Sequence, residues 1–163
     1  TVTVELSALK NVLSYCKEEL DFDYLVDISS LDHFGEEPRF EMVYELYSYS
    51  THAHLRIKAR VSEDDDLEVP SAIGIWATAD WHEREVYDMM GIQFKDHGDL
   101  RRILMWEGYP FFPLRKDFPL AGRETDMPDV AFTGKAPLAG GPFVTTPSNE
   151  GNIKREPRSR EIE

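Results

Sequence analysis

The densest group of reactive side chains lies in Trp81-His82-Glu83-Arg84-Glu85-Val86-Tyr87-Asp88-Met89-Met90-Gly91-Ile92. Carboxylates and an imidazole this close suit two kinds of chemistry, general acid–base transfer and metal ligation. The metal reading needs a second His one helical turn after His82, and position 86 is Val, so the zinc-protease helix spacing fails. The acid–base reading uses Glu83, Glu85 and His82, and would describe a free-standing hydrolase. A plainer account is that buried charges must be paired to be tolerated. At helical spacing His82, Val86, Met89 and Met90 form an apolar side, with Glu85 at its border and Glu83 beyond Met90. Arg84 and Asp88 are four apart on the opposite flank and can pair. The pattern therefore predicts a structural ion-pair network of Glu83, Arg84, Glu85 and Asp88, extended by Arg101 and Arg102.

A second dense stretch runs from His97 to Leu120. Pro110, Pro113 and Pro119 exclude a continuous helix or central strand, so its aromatics must be buried by an irregular extended segment. A groove with Arg115 and Lys116 at its mouth would suit an anion. The composition favours docking onto another chain through Phe112, Pro113, Leu114, Arg115, Lys116, Asp117 and Phe118, because aromatic and Arg anchors dominate interfaces.

These stretches need elements to position them. Ser7 is placed to cap a first helix whose Leu9, Val12, Leu13, Cys16 and Leu20 share one stripe, which makes Cys16 a core thiol. Tyr24–Ile28 is a short β-prone run. Arg39–Tyr49 alternates, with Phe40, Met42, Tyr44 and Leu46 on one face. His54–Val61 alternates as well, with Arg56, Lys58 and Arg60 outward. Ser50-Thr51-His52 makes a hairpin of these two, and their polar faces predict an antiparallel sheet wetted on one side. Ser71 to Met90 reads as helix, either continuous or broken near Ala79 with Asp80 capping the second part, and Gly91 ends it in the left-handed conformation. Leu100–Trp106 reads as a final strand. The fold class is α+β: two layers, an antiparallel or mixed sheet with helices on one face, then a long extended C-terminal arm. The domain spans 1–120. The tail 121–163 is rich in Gly and Pro, too poor in apolar groups for its own core, and ends in a basic cluster, Lys154, Arg155, Arg158 and Arg160. Such a tail is either solvated or a partner-binding arm.

Composition narrows the function. With 163 residues there is room for one domain. A net charge of −13 argues against nucleic acid, which demands clustered Lys and Arg. The acidic run Glu63, Asp64, Asp65, Asp66, Glu68 reads as a solvated loop, since it lacks the ligand spacing of a calcium loop. One cysteine excludes an internal disulfide and a thiolate-held iron–sulfur cluster. No glycine-rich nucleotide motif and no nucleophile elbow occurs. No apolar run is long enough to span a bilayer and no signal peptide is visible, so the expectation is a soluble or peripheral protein.

Three separated motifs together carry a resemblance. Glu83-Arg84-Glu85-x-Tyr87-Asp88-Met89-x-Gly91-Ile92-x-Phe94, then His97-x-Asp99-Leu100-Arg101-Arg102-Ile103-Leu104, then Gly108 and Pro113-Leu114-Arg115-Lys116-Asp117-Phe118-Pro119-Leu120, resemble the C subunit of proton-pumping NADH–quinone oxidoreductase, respiratory complex I. The match is dense from Ala79 to Leu120 and extends more weakly back to residue 7. Asp96-His97-Gly98 stands where the family usually has Gly-His-Pro, and Phe111-Phe112 precedes the last motif. The resemblance implies a peripheral-arm subunit with no catalytic residue, metal or redox centre of its own. It would pack on the quinone-site protein, the D subunit, near the cluster-bearing B and I subunits, in a complex that uses FMN, iron–sulfur clusters, NADH and quinone. Its place would be peripheral on the cytoplasmic side of the cell inner membrane, or on the matrix side in a mitochondrion. Related proteins occur in membrane-bound hydrogenases, formate hydrogenlyase and ferredoxin-linked complexes, and the sequence does not separate these machines.

Overall fold

A computed structural model describes residues 1–63 and 67–123. The centre of the acidic run, residues 64–66, and the tail from 124 onward with its basic cluster lie outside the described residues. The chain divides into two units, Thr1–Asp117 and Phe118–Glu163. The first carries the fold. In the second, the Gly122 amide donates to the Pro119 carbonyl at 2.8 Å, and the Arg123 guanidinium lies 5.9 Å from the Phe118 ring.

The first unit opens with β1 (Val2–Val4), a 3₁₀ turn (Leu6–Ala8) and helix α1 (Leu9–Glu18). Three long strands follow, β2 (Tyr24–Asp32), β3 (Phe40–Ser48) and β4 (Ala53–Val61). They form an antiparallel meander, and β1 adds to the far side of β4 in parallel, so the sheet is mixed with order β1-β4-β3-β2. Its core face is built from the alternation read in the sequence. Phe40, Met42, Tyr44 and Leu46 are buried opposite Val61, Ala59, Ile57 and the partly buried Leu55. The helices supply Leu9, Leu13, Cys16, Ala79, Val86, Met89 and Met90 to the same core. A second small sheet pairs β5 (Glu68–Pro70) in parallel with β6 (Gln93–Lys95). The crossover between them is helix α2 (Ala79–Met90), which packs against β2.

Several local expectations change. Ser7 lies inside the 3₁₀ turn and caps nothing; α1 starts after Ala8 with no side-chain cap. Leu20 falls beyond the helix and is exposed. The outer face of β3 is not simply wetted. Glu41 and Val43 are buried there, with Lys58 Nζ 2.8 Å from Glu41 and Arg60 and His33 each at 3.5 Å. Residues 71–78 form turns, and the helix begins only at Ala79, behind Thr78. Leu100–Trp106 is not a strand, because its amides are donated to a buried side chain instead of to a ladder. The three-residue strands β1, β5 and β6 have no periodicity long enough to announce them.

Candidate functional site

Helix α2 carries the densest group of charges in the sequence, and two of its carboxylates are fully sealed from solvent, Glu83 and Asp88. Glu83 lies in the N-terminal half. Its Oε1 accepts the Ala72 amide and its Oε2 the Ser71 hydroxyl, each at 2.6 Å, so it caps the turn that leads from β5 towards the helix. His97 stands 3.9 Å away, with its Nε2 3.3 Å from Asp80 Oδ1. Burial raises the Glu83 carboxyl above the ordinary range, and the Ser71 and Ala72 hydrogen bonds offset only part of that. The Tyr44 hydroxyl is buried beneath with no hydrogen-bond partner among the described residues. Burial first and the Glu83 charge second hold its phenol above the ordinary value.

Asp88 is served by far stronger donors. Its Oδ2 accepts three successive amides, Ile103 at 3.0 Å, Leu104 at 2.6 Å and Met105 at 2.8 Å. Its Oδ1 receives Arg102 Nη1 at 2.6 Å. Consecutive amides turned towards one oxygen form an anion nest. Burial works to raise this carboxyl, but the Met105 amide, Arg102 and the Leu104 and Ile103 amides outweigh it and leave it below the usual carboxylate range. Arg102 also donates to the carbonyls of Asp88 and Phe111, at 2.8 and 3.1 Å.

From Arg102 onward the chain wraps the C-terminal end of α2 as a strap. The Leu114 amide donates to the Met89 carbonyl at 3.1 Å, and Arg115 Nε to the Met90 carbonyl at 2.6 Å. Gly91 is required where they meet. Its φ is +78°, and a Cβ there would lie 2.6 Å from Phe112 Cε2 and 2.7 Å from Arg115 Nη2. The strap ends on a second hub. Arg39 grips Asp32 through two bonds of 2.8 and 2.9 Å and reaches Asp117 at 2.8 Å and Glu63 at 3.1 Å, while the Lys116 amide donates to Asp32 at 2.7 Å. Hydrogen bonds from Arg39, set against burial and aided by the Lys116 amide, lower the Asp32 carboxyl. The guanidiniums alternate with rings. Arg39 lies 5.0 Å from Phe34 and 4.9 Å from Phe40, Arg115 lies 5.2 Å from Phe40 and 4.7 Å from Phe112, and Arg102 lies 5.0 Å from Phe112.

The predicted residues fall into different places. Glu83, Arg84 and Asp88 are buried and Arg102 half-buried. Arg84 does not pair with Asp88, whose oxygens are occupied; it stacks 5.1 Å from Trp81 and donates to the Arg101 carbonyl at 3.2 Å. Glu85 is exposed and stands outside the network, and Arg101 is exposed against Asp99 at 3.0 Å. His82 is not on the apolar side but half-buried, 3.2 Å from Asp27. The hydrolase constellation is therefore not assembled, since Glu83 is sealed, Glu85 faces outward and His82 serves another carboxylate. In the strap, Phe112 and Pro113 are half-buried, Leu114 and Lys116 exposed, and Arg115 and Asp117 engaged within this unit; Phe118 begins the other unit.

Residues 2–124 match the family described as respiratory-chain NADH dehydrogenase, 30 kDa subunit. The chain belongs to that family. It is 46% identical over 133 residues to the NADH-quinone oxidoreductase C 2 subunit of Rhizobium meliloti (strain 1021), covering 78% of this chain and 72% of the relative. It is 44% identical over 126 residues to the NADH-quinone oxidoreductase C subunit of Geotalea uraniireducens (strain Rf4), with 77% and 76% covered. The corresponding C subunit of Trichlorobacter lovleyi (strain ATCC BAA-1151 / DSM 17278 / SZ) is 47% identical over 125 residues, with 74% and 75% covered. As a member of the 30 kDa family the chain belongs to complex I, hence to a multi-subunit oxidoreductase. No helix among the described residues is long and apolar enough to cross a membrane.

The donor set bears on whether a member of this family could hold a cluster. An iron–sulfur cluster needs several thiolates. The chain has one cysteine, Cys16, buried against the sheet with its thiol pushed up by burial, and this does not fit such a group. Among the described residues no three His, Cys, Asp or Glu side chains are grouped to hold a metal ion. Asp32 and Arg39 escape a reading of the sequence alone. Their one signal is that they flank the β2–β3 turn, where a charged pair can close a hairpin.

Proposed function

We propose that this chain is a non-catalytic peripheral-arm component of NADH–quinone oxidoreductase, supporting the shape of the arm while electrons pass from NADH to quinone and protons are moved elsewhere. The observation that carries this is the fate of the motif carboxylates. Glu83 and Asp88 have no solvent access, and their oxygens are engaged by donors of this same chain. A general acid or base must reach a substrate, and these two cannot without unfolding the strap or the turn at Ser71.

In this proposal the chain packs on the quinone-site D subunit, near the B and I subunits. FMN, iron–sulfur clusters, NADH and quinone belong to the neighbours. The protein lies on the cytoplasmic side of the inner membrane, or the matrix side in a mitochondrion, attached through the complex. The names of the relatives support the NADH–quinone machine over hydrogenase-type and ferredoxin-linked ones.

The test is twofold. The purified full chain should show no flavin or iron–sulfur absorbance; a stoichiometric chromophore would refute the proposal. In the assembled complex, Glu85→Gln should leave NADH–quinone turnover unchanged. A large drop in turnover in a fully assembled complex would assign chemistry to this helix.

A further inference from the structure

Arg84 is an exception among the arginines of the first unit. It is only 8% exposed, yet no carboxylate lies within ion-pair distance of it among the described residues. The other buried or half-buried arginines of that unit are supplied. Arg39 has Asp32, Glu63 and Asp117, Arg60 has Glu36 and Glu41, and Arg102 has Asp88. Asp117, Glu63 and Asp32 act on Arg115. A guanidinium withdrawn from water without an anion is unfavourable. This one is also held in place. Its Nε donates to the Arg101 carbonyl at 3.2 Å, and that carbonyl is fixed because the next residue, Arg102, is tied to Asp88. One face of the guanidinium lies 5.1 Å from the centre of the Trp81 ring. Nη1 and Nη2 make no hydrogen bond among the described residues, and neither is sealed from solvent. Two N–H donors are therefore presented in one orientation beside an indole that is 62% exposed.

We infer that Arg84 and Trp81 form a binding site for a carboxylate. The Nη1–Nη2 edge takes its two oxygens, and the indole covers the apolar body that carries them. The planar fork of a guanidinium matches a carboxylate in a bidentate pair. A phosphate dianion fits less well, because it calls for several cations. Here the Arg101 side chain is engaged by Asp99, and Glu85 is exposed one residue after Arg84. The chain as a whole carries a net charge of −13, which repels a doubly charged ligand more than a singly charged one. The carboxylate comes either from a free organic acid or from an acidic side chain of another protein; the recognising chemistry is the same.

The test follows the Arg84 Nε–H and Trp81 Nε1–H signals of the isotope-labelled full chain by NMR as sodium benzoate is added at constant ionic strength. Both should move and saturate. Sodium acetate, which lacks the ring, should bind about threefold more weakly, and inorganic phosphate more weakly than benzoate. Arg84→Lys keeps the charge but loses the fork, and should weaken benzoate about tenfold, the size of one lost charge-assisted hydrogen bond. Trp81→Leu tests the site without touching the buried arginine, and should erase the advantage of benzoate over acetate. Shifts that do not saturate, that persist in Arg84→Lys, or that are larger with phosphate would overturn the site, as would a benzoate advantage unaltered by Trp81→Leu. A photoreactive benzoate, para-benzoylbenzoate, then separates the sources. It should label the segment around Trp81 in the isolated full chain. Label retained in the assembled complex assigns the site to a free acid; label lost there assigns it to an acidic residue of a neighbouring protein. Label scattered over the isolated chain would overturn the site.

Discussion

Glu83 and Asp88 occupy one helix and are equally sealed from solvent, yet their surroundings drive them in opposite directions. The helix dipole does not explain this. It favours negative charge at the N-terminus, near Glu83, and disfavours it at the C-terminus, near Asp88. The observed directions are the reverse. Local donors decide instead. Glu83 has one hydroxyl and one amide, whereas Asp88 has a guanidinium and three amides converging on it. The N-terminal half of α2 is therefore held by a carboxyl that burial inclines to stay protonated, and the C-terminal half by a true buried anion. The difference teaches that a buried acid in a motif is read through the number and charge of its donors, not through its position on the helix.

The comparison can be broken most forcefully at Asp88. Asp88→Ala takes the acceptor from three amides and the carboxylate from Arg102, which keeps only the backbone carbonyls of residues 88 and 111, and should cost about 3–5 kcal/mol. Urea denaturation of the full chain measures it; a loss under about 1 kcal/mol would mean that the nest is not holding the strap. Gly91→Ala probes the same end of the helix through sterics. The left-handed backbone and the collision with Phe112 should cost about 2–3 kcal/mol, with the largest loss of hydrogen-exchange protection at Leu114 and Arg115. Glu83→Gln is the counterpart at the other end. It keeps an oxygen for one donor and removes a charge that burial already disfavours, so about 1 kcal/mol or less is expected. A cost matching that of Asp88→Ala would show Glu83 to be an anion too.

Acid and base titration separates the two carboxyls. A lowered folded pKa means that the Asp88 contribution is present above about pH 3.9, the ordinary Asp value, and is lost as pH falls through the folded value. A raised folded pKa means that the Glu83 contribution is present below about pH 4.3, the ordinary Glu value, and is lost as pH rises through the folded value. Stability curves of the full chain against pH should show Asp88→Asn flattening the acid limb and Glu83→Gln flattening the decline on the higher side. Interchanged effects would reverse the assignment. Smallest of all, Glu85→Gln on the exposed side should leave the melting temperature unaltered.

Much of this was legible in the sequence, for identifiable reasons. The β3–β4 hairpin followed from clean alternation between Phe40 and Val61, and Gly91 as a helix terminus from its place after Met90. Membership of the complex came through the three spaced motifs and not through periodicity. What failed was pairing across distance. Arg84 and Asp88 have the right helical spacing, but Arg102 and three amides from a later segment compete for the carboxylate and win. The same competition removed the expected strand at Leu100–Trp106, because amides given to Asp88 cannot also join a sheet. The hub around Arg39 was invisible because its partners are scattered at positions 32, 63 and 117.

That scatter has a consequence for synthesis. The Arg39 guanidinium emerges early, and Asp117 follows 78 residues later. At about 5–20 residues per second of translation, roughly 4–16 s pass before the hub can close. The strands can pair during that interval, but the end of α2 remains open, with the Met89 and Met90 carbonyls and the place of Phe112 uncovered until the last residues of the unit arrive. A nascent chain halted short of Asp117 would expose that end to whatever binds unfinished proteins.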